Sequence, residues 1–417
     1  DTNAAFNPDG SVVTENHVTA GTGKYLKIYG PNGNNYYVKK SIDGYVGYKV
    51  ALALVQEDPV DGGNILNTAT GQIDFRGERS IGLYTYLPSL QSKRNMINRG
   101  KIFLSGKESY GMKLAARTGS GAVYSNEGTI TLKKNVKDAA DGSAGMALMG
   151  DNTVNTVNLA SGVAKNTGTI KLENVKNSLG TYVNIGSDIT NTATGTININ
   201  STIAGLTEAE KNKSIKQPVN IGMRADTNVN AKVINNGKIT IDGAYAIGML
   251  AKGAKLNNTN KIESTNIKNG IGIVGINGAT VENRGTIKLT GTGDTNNIGV
   301  FLDSGSKGIT GTIPTGVTPS VEVIGNNSTG VLVTGKNTGG TTSNLTMAGT
   351  VKVSGNSVAG IVANGATVNL NGTGTIIVDN NGTFSAPIGK KGSYGIAVTK
   401  DKNTGLTGKF EGKNTTI

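Results

Sequence analysis

Residues 126–132 read NEGTITL, and the same frame returns as NRGKIFL at 98–104, NTGTIKL at 166–172, NNGKITI at 235–241 and NRGTIKL at 283–289. Shorter copies stand at 70–75 (TGQIDF), 194–199 (TGTINI), 348–353 (AGTVKV) and 372–378 (GTGTIIV). Each is an Asn- or Gly-bearing turn followed by a strand with period-two alternation. Ile130 and Leu132 then face one way and Thr131 the other. Repetition at a spacing of one coil is the mark of a solenoid, in which each unit buries its apolar face only by stacking on its neighbours.

Between these copies runs a second strand of the form φ-G-φ-x-φ, φ being apolar. Its copies include IGLYTY from Ile81, YGMKL from Tyr110, AGMALM from Ala144, IGMRA from Ile221, IGMLA from Ile247 and YGIAV from Tyr394. The glycines at 82, 111, 145, 222, 248, 272, 299, 330, 360 and 395 step by about one coil, with one double gap whose middle copy is assigned to Gly186. Glycine there leaves room for a neighbouring backbone, or permits a bend or positive φ at a corner. A third, weaker strand appears in GAKLNN from Gly253, GATVEN from Gly278 and GATVNL from Gly365, its last Asn leading into the next turn. Three strands per coil predict an all-β chain, a right-handed parallel β-helix of roughly eleven coils over 64–417. At about 4.8 Å per step it extends on the order of 50 Å.

Details follow from that plan. Asn in the N-x-G turns is expected to adopt the left-handed conformation and bond its own backbone, or to stack from coil to coil as a ladder. Met112, Met146, Met223 and Met249, each just after the second-strand glycine, are read as core filling rather than a Met-rich groove. Segments 202–218 (TIAGLTEAEKNKSIKQP) and 305–319 (GSKGITGTIPTGVTP) are expected to protrude as loops. Residues 1–63 do not show the repeat clearly and are read as a less regular N-terminal lobe or cap.

Composition agrees. Glycine accounts for 62 of 417 residues, Trp and Cys are absent, and aromatics make up 5%, so a core must be filled by small and β-branched side chains. Zero cysteines exclude disulfides and thiolate sites. The net charge of +13 and pI near 9.5 favour anionic partners at low salt. No like-charge block or basic helix marks a specific nucleic-acid site. The opening DTNAAFNPDG lacks the basic and apolar regions of an export signal, and no apolar stretch reaches bilayer-spanning length. The export signal and anchor are therefore expected elsewhere in a longer protein.

Because many β-helices cleave polysaccharides, catalysis needs testing. The single histidine, His17, lies outside the repeats, which argues against a histidine-based triad or metal site. The NTD, GHG and RIK arrangements of pectin hydrolases are missing. Asp74, Arg76, Glu78 and Arg79 cluster, yet read better as a solvated ion-pairing edge than as a carboxylate pair for glycoside cleavage. No enzyme activity, cofactor or metal is expected. Binding is the stronger expectation: Tyr25, Tyr29, Tyr36, Tyr37, Tyr45 and Tyr48, beside Lys39 and Lys40, offer rings and cations for sugars or proteins. The alternative use for these tyrosines is to plug the open end of the solenoid.

The copies NEGTITL, NTGTIKL, NNGKITI and NRGTIKL, alternating with YGMKL, IGMRA and YGIAV, resemble the passenger domains of type V autotransporter adhesins, most of all the very long fusobacterial ones. The resemblance covers about residues 64–417 and rests on a structural motif shared by many paralogues. It implies display at the cell surface, anchoring in the bacterial outer membrane through a C-terminal barrel, and attachment to a host-cell receptor protein or glycan or to a partner bacterium. No barrel is present; the chain stops in mid-repeat at GKNTTI. A β-helical polysaccharide-degrading enzyme such as a tailspike, and a self-association module, are the competing expectations.

Overall fold

The computed structural model describes residues 25–29, 35–39, 48–54, 63–87, 94–116, 123–134, 142–150, 164–201, 220–226, 229–310, 320–336, 339–371, 374–379, 392–401 and 405–413. Apart from an antiparallel hairpin of Tyr25–Tyr29 with Asn35–Lys39, the named strands belong to three sheets. Sheet I runs from Gly63–Asn67 to Lys409–Lys413, sheet II from Gln72–Phe75 to Thr375–Asp379, and sheet III from Lys49–Leu54 to Tyr394–Thr399. Every pairing within them is parallel and joins one turn to the next, as in Thr129–Lys133 on Thr169–Glu173. The chain visits I, II and III in order, making eleven complete turns. This is a parallel β-helix.

The three inner faces enclose one continuous apolar column. Sheet II contributes Ile130, Leu132, Ile170 and Leu172, all fully buried, and TIKLE at Thr169–Glu173 alternates buried and half-buried residues as period two requires. In sheet III, Met112 and Met146 pair in register, as do Met223 and Met249, and all four lie in the core. Tyr124 occupies an inward position of sheet I. Its hydroxyl donates to the Met112 carbonyl at 2.6 Å and accepts from the Ala147 amide at 3.1 Å, tying sheet I to sheet III across the lumen. Directly above it stands Ala164; the small side chain accommodates the ring.

The second-strand glycines are explained by close approach, since none of them has positive φ. A Cβ on Gly222 would lie 2.5 Å from the Gly248 carbonyl oxygen and 3.0 Å from Ile239 Cγ2, and one on Gly145 would lie 2.6 Å from the Gly180 oxygen. The missing member of the series is therefore Gly180 rather than Gly186: Leu179 pairs with Ala144, and Thr181 with Met146 and Met223. Thr181 in a methionine position hides that copy from an apolar pattern.

The turn asparagines do not adopt the left-handed conformation. Asn67, Asn98, Asn126, Asn166, Asn191, Asn235, Asn258 and Asn283 instead stack inside the corner between sheets I and II. Each Nδ2 up to Asn258 donates to the Oδ1 of the next at 2.7–2.8 Å. Inside a wall without water, a polar group needs such a partner. Left-handed residues lie at the other two corners: Asn277 and Ser304 after sheet III, and, before it, Arg79, Glu108, Gly142 and Asn177 in consecutive turns. A buried Ser follows each of the latter four. The Ser80, Ser109 and Ser143 amides donate to the side-chain oxygens of Ser109, Ser143 and Ser178, one turn on.

Two boundaries move. Lys49–Leu54 pairs in register with Ser80–Leu87, so the solenoid begins inside the 1–63 segment read as a lobe; Ala51 occupies the glycine position there, which conceals the repeat. Lys307–Thr310 is a sheet I strand within the expected 305–319 loop. Its Gly308 stands in an apolar row, where the Leu302 and Leu345 side chains fill the space. Residues 311–319 and the 202–218 loop lie outside the described residues.

Candidate binding face

Sheet III differs from the other two because, from Ser80–Leu87 to Ile298–Leu302, both of its faces are largely buried, while its end strands are more exposed. AIGMLAK at Ala246–Lys252 and IGIVGI at Ile271–Ile276 are buried almost throughout, as near-continuous apolar runs are when a sheet is covered on each side. A second apolar cluster accordingly forms on its outer face, with Ile221, Ile247, Leu250, Ile271, Val274 and Phe301 among its members. The longest connections adjoin this sheet: Gly150 to Ala164 leaves it, while Ser201 to Asn220 and Asp379 to Tyr394 enter it. At the corner between sheets I and II most turns take only two residues, such as Arg99–Gly100 or Glu127–Gly128. Thr310 to Ser320 is a longer connection at that corner.

At the first turns this outer face is aromatic. Ile81, Tyr84, Tyr86 and Ala115 form a buried cluster against which Tyr48, Val50 and Tyr110 pack. Tyr48 and Tyr110 meet with ring centroids 6.0 Å apart at 47°, and Lys113 Nζ lies 5.2 Å and 4.3 Å from them respectively. Lys113 is only 2% exposed. Burial pushes its ammonium pKa down to about 7, because the charged form loses its hydration. Burial also raises the Tyr48 hydroxyl, helped by the negative charge of Glu108.

Further along the same outer row, Tyr182 pairs in register with Arg224. The guanidinium carbon lies 5.9 Å from the ring centroid, and Nε and Nη2 both bond the Asp226 carboxylate, at 3.0 Å and 2.5 Å. Burial is the largest single influence and works against the Arg224 charge, but the Asp226 bond and charge, with Tyr182, together outweigh it and leave the guanidinium pKa raised. Burial, then the Asp226 charge, raises the Tyr182 hydroxyl. Rings beside cations in one row suit stacking on sugars or contact with a protein. Tyr48 and Tyr110 retain ring surface, whereas Tyr84, Tyr86 and Lys113 are almost wholly covered.

Among the residues expected to bind, Tyr25, Tyr29, Tyr36, Tyr37 and Lys39 fall on the hairpin, with Tyr25 opposite Lys39 and Tyr37 opposite Lys27. Tyr45 and Lys40, like His17, lie outside the described residues. Tyr48 belongs to the solenoid and packs on the outer face of sheet III, away from the lumen column. Its neighbours Tyr110 and Lys113 were legible only as the first φ and the x positions of YGMKL; nothing local marks them as a cluster. The charged group near residue 76 separates into exposed ion pairs: Arg76 with Asp74 at 3.4 Å, and Arg79 with Glu108 of the next turn at 3.0 Å.

No family model, curated protein or solved structure matches this chain.

Proposed function

We propose that this chain is an extracellular segment of a bacterial surface adhesin, held at the outer membrane by another part of its protein. It acts as a rigid spacer and a binding module for a host-cell receptor protein or glycan, or for the surface of a partner bacterium. The observation that carries the reading is the pairing of an unbroken eleven-turn solenoid with long connections gathered mainly along one sheet. A rod of stacked turns sets distance and direction, and loops along one edge supply variable contact chemistry.

The test is binding of the purified chain to host cells and partner bacteria, with and without competing sugars or amino acids. A shortened chain beginning at Tyr48 is compared, because Lys49–Leu54 is already part of sheet III. Loss of binding on shortening places the contact in residues 1–47. Equal binding places it on the solenoid, and no binding by either makes the segment a stalk and removes the binding-module half of the proposal.

A further inference from the structure

The charge on the solenoid is distributed differently on two neighbouring sheets. On the outer face of sheet II, Glu263, Lys288, Glu322 and Lys352 stand in register and alternate in sign. Glu322 pairs with Lys288 at 2.9 Å and Lys352 at 3.6 Å, and these bonds hold its carboxyl below the usual range. Like charges stacked on adjacent strands repel, and alternation removes that cost.

Sheet I does the opposite over the same turns. Its outward row runs Asp188, Lys232, Lys255, Thr280, Lys307, Asn344. Asp188 is buried and offsets Lys232 from below. Lys255 and Lys307 are exposed, as is Lys261 on the sheet II side of the asparagine corner. No described carboxylate forms an ion pair with any of the three: Glu263 is taken by Lys238, and Glu282 by Arg284. Asp242 is committed to the Thr265–Asn266 turn and Asp303 to Thr334. Over residues 229–310, all of them described, nine Lys and Arg face five Asp and Glu.

We propose that Lys255 and Lys307, in one outward row of sheet I, with Lys261 beside them across the asparagine corner on sheet II, form a docking patch for a linear anionic polysaccharide lying along the solenoid axis. Parallel stacking holds Lys255 and Lys307 two steps, or about 10 Å, apart, on strands that cannot splay, so each charge keeps its place without a folding cost on binding. The strand between them carries Thr280 in register with Lys255 and Glu282 in register with Asn257; Glu282 is neutralised by Arg284, and the hydroxyl and amide suit sugar hydroxyls. Single-stranded nucleic acid is read by stacking on aromatic rings, and this stretch of sheet I bears none among its strand residues. The patch lies on different sheets from the tyrosine cluster and stands independently of the adhesin proposal.

The experiment measures affinity of the whole chain for heparin, neutral dextran and single-stranded DNA across a series of salt concentrations. It compares the native protein with the triple variant Lys255→Glu, Lys261→Glu, Lys307→Glu. A control with the same charge change, Lys107→Glu, Lys134→Glu, Lys336→Glu, uses exposed lysines elsewhere, and circular dichroism checks that all three proteins are folded. The expected result at physiological salt is heparin binding weakened at least about tenfold by the patch variant and less than about threefold by the control, with no dextran binding. Equal losses in both variants reduce the effect to net charge and overturn the proposal. So does the absence of heparin binding by the native protein, or a preference for the DNA.

Discussion

At the level of single residues the fold is set by positions that tolerate no change of size or polarity. Gly222 is one: a methyl group there meets backbone oxygen rather than a flexible side chain. Gly222→Ala is expected to cost about 1–3 kcal/mol, read as a lower midpoint in denaturant. Thr181 is the converse, a misfit. Its hydroxyl is buried between Met146 and Met223 without a hydrogen-bond partner, so Thr181→Val should stabilise the chain by about 1–2 kcal/mol. Lys113 gives a pH signature. Its ordinary value of 10.5 in the unfolded chain falls to about 7 when folded, so between those values the unfolded chain binds more protons and stability rises with pH. Denaturation at pH 6.5, 8 and 9.5 should show a rising contribution that Lys113→Met abolishes; identical pH slopes for both proteins refute the assignment.

Among the elements, the corner between sheets I and II depends on a ladder whose members are not equivalent. Asn191 accepts from Asn166 and donates to Asn235, so Asn191→Leu strands one buried donor and one buried acceptor. Asn283 ends the ladder: the next residue in register is Thr310, and its own Nδ2 already lacks a partner. Asn283→Leu therefore orphans only the Asn258 donor toward it. The interior substitution should cost more than the terminal one by at least about 1 kcal/mol, measured by thermal unfolding. Equal costs mean that stacking contacts, not the bonds, hold the corner. The ladder was foreseeable from the recurring Asn ahead of each N-x-G strand, though its geometry was not: the same residue suits a left-handed turn, and only neighbouring turns at hydrogen-bond spacing decide between the two uses.

Over the whole molecule, stability is a sum over turns and their interfaces. A chain beginning at Tyr48 keeps every strand of the three sheets. Its unfolding midpoint should match that of the full chain, and a loss of more than about 1 kcal/mol would show that residues 1–47 brace the solenoid. Sequence alone determined the architecture, the three-strand coil, the eleven turns and the core role of the methionines, because a period-two pattern repeated at coil spacing has one way to bury its apolar face. It did not locate the first turn, where Ala51 replaces glycine, or the copy at Gly180, where Thr181 breaks the apolar pattern. Nor did it distinguish a sheet buried on both faces from one buried on one. The tertiary structure alone decided which side chains share an outer face: Tyr48 with Tyr110, Tyr182 with Arg224, Lys255 with Lys307. Those residues lie tens of positions apart in the chain and become neighbours only through the register of successive turns, which local patterning does not encode.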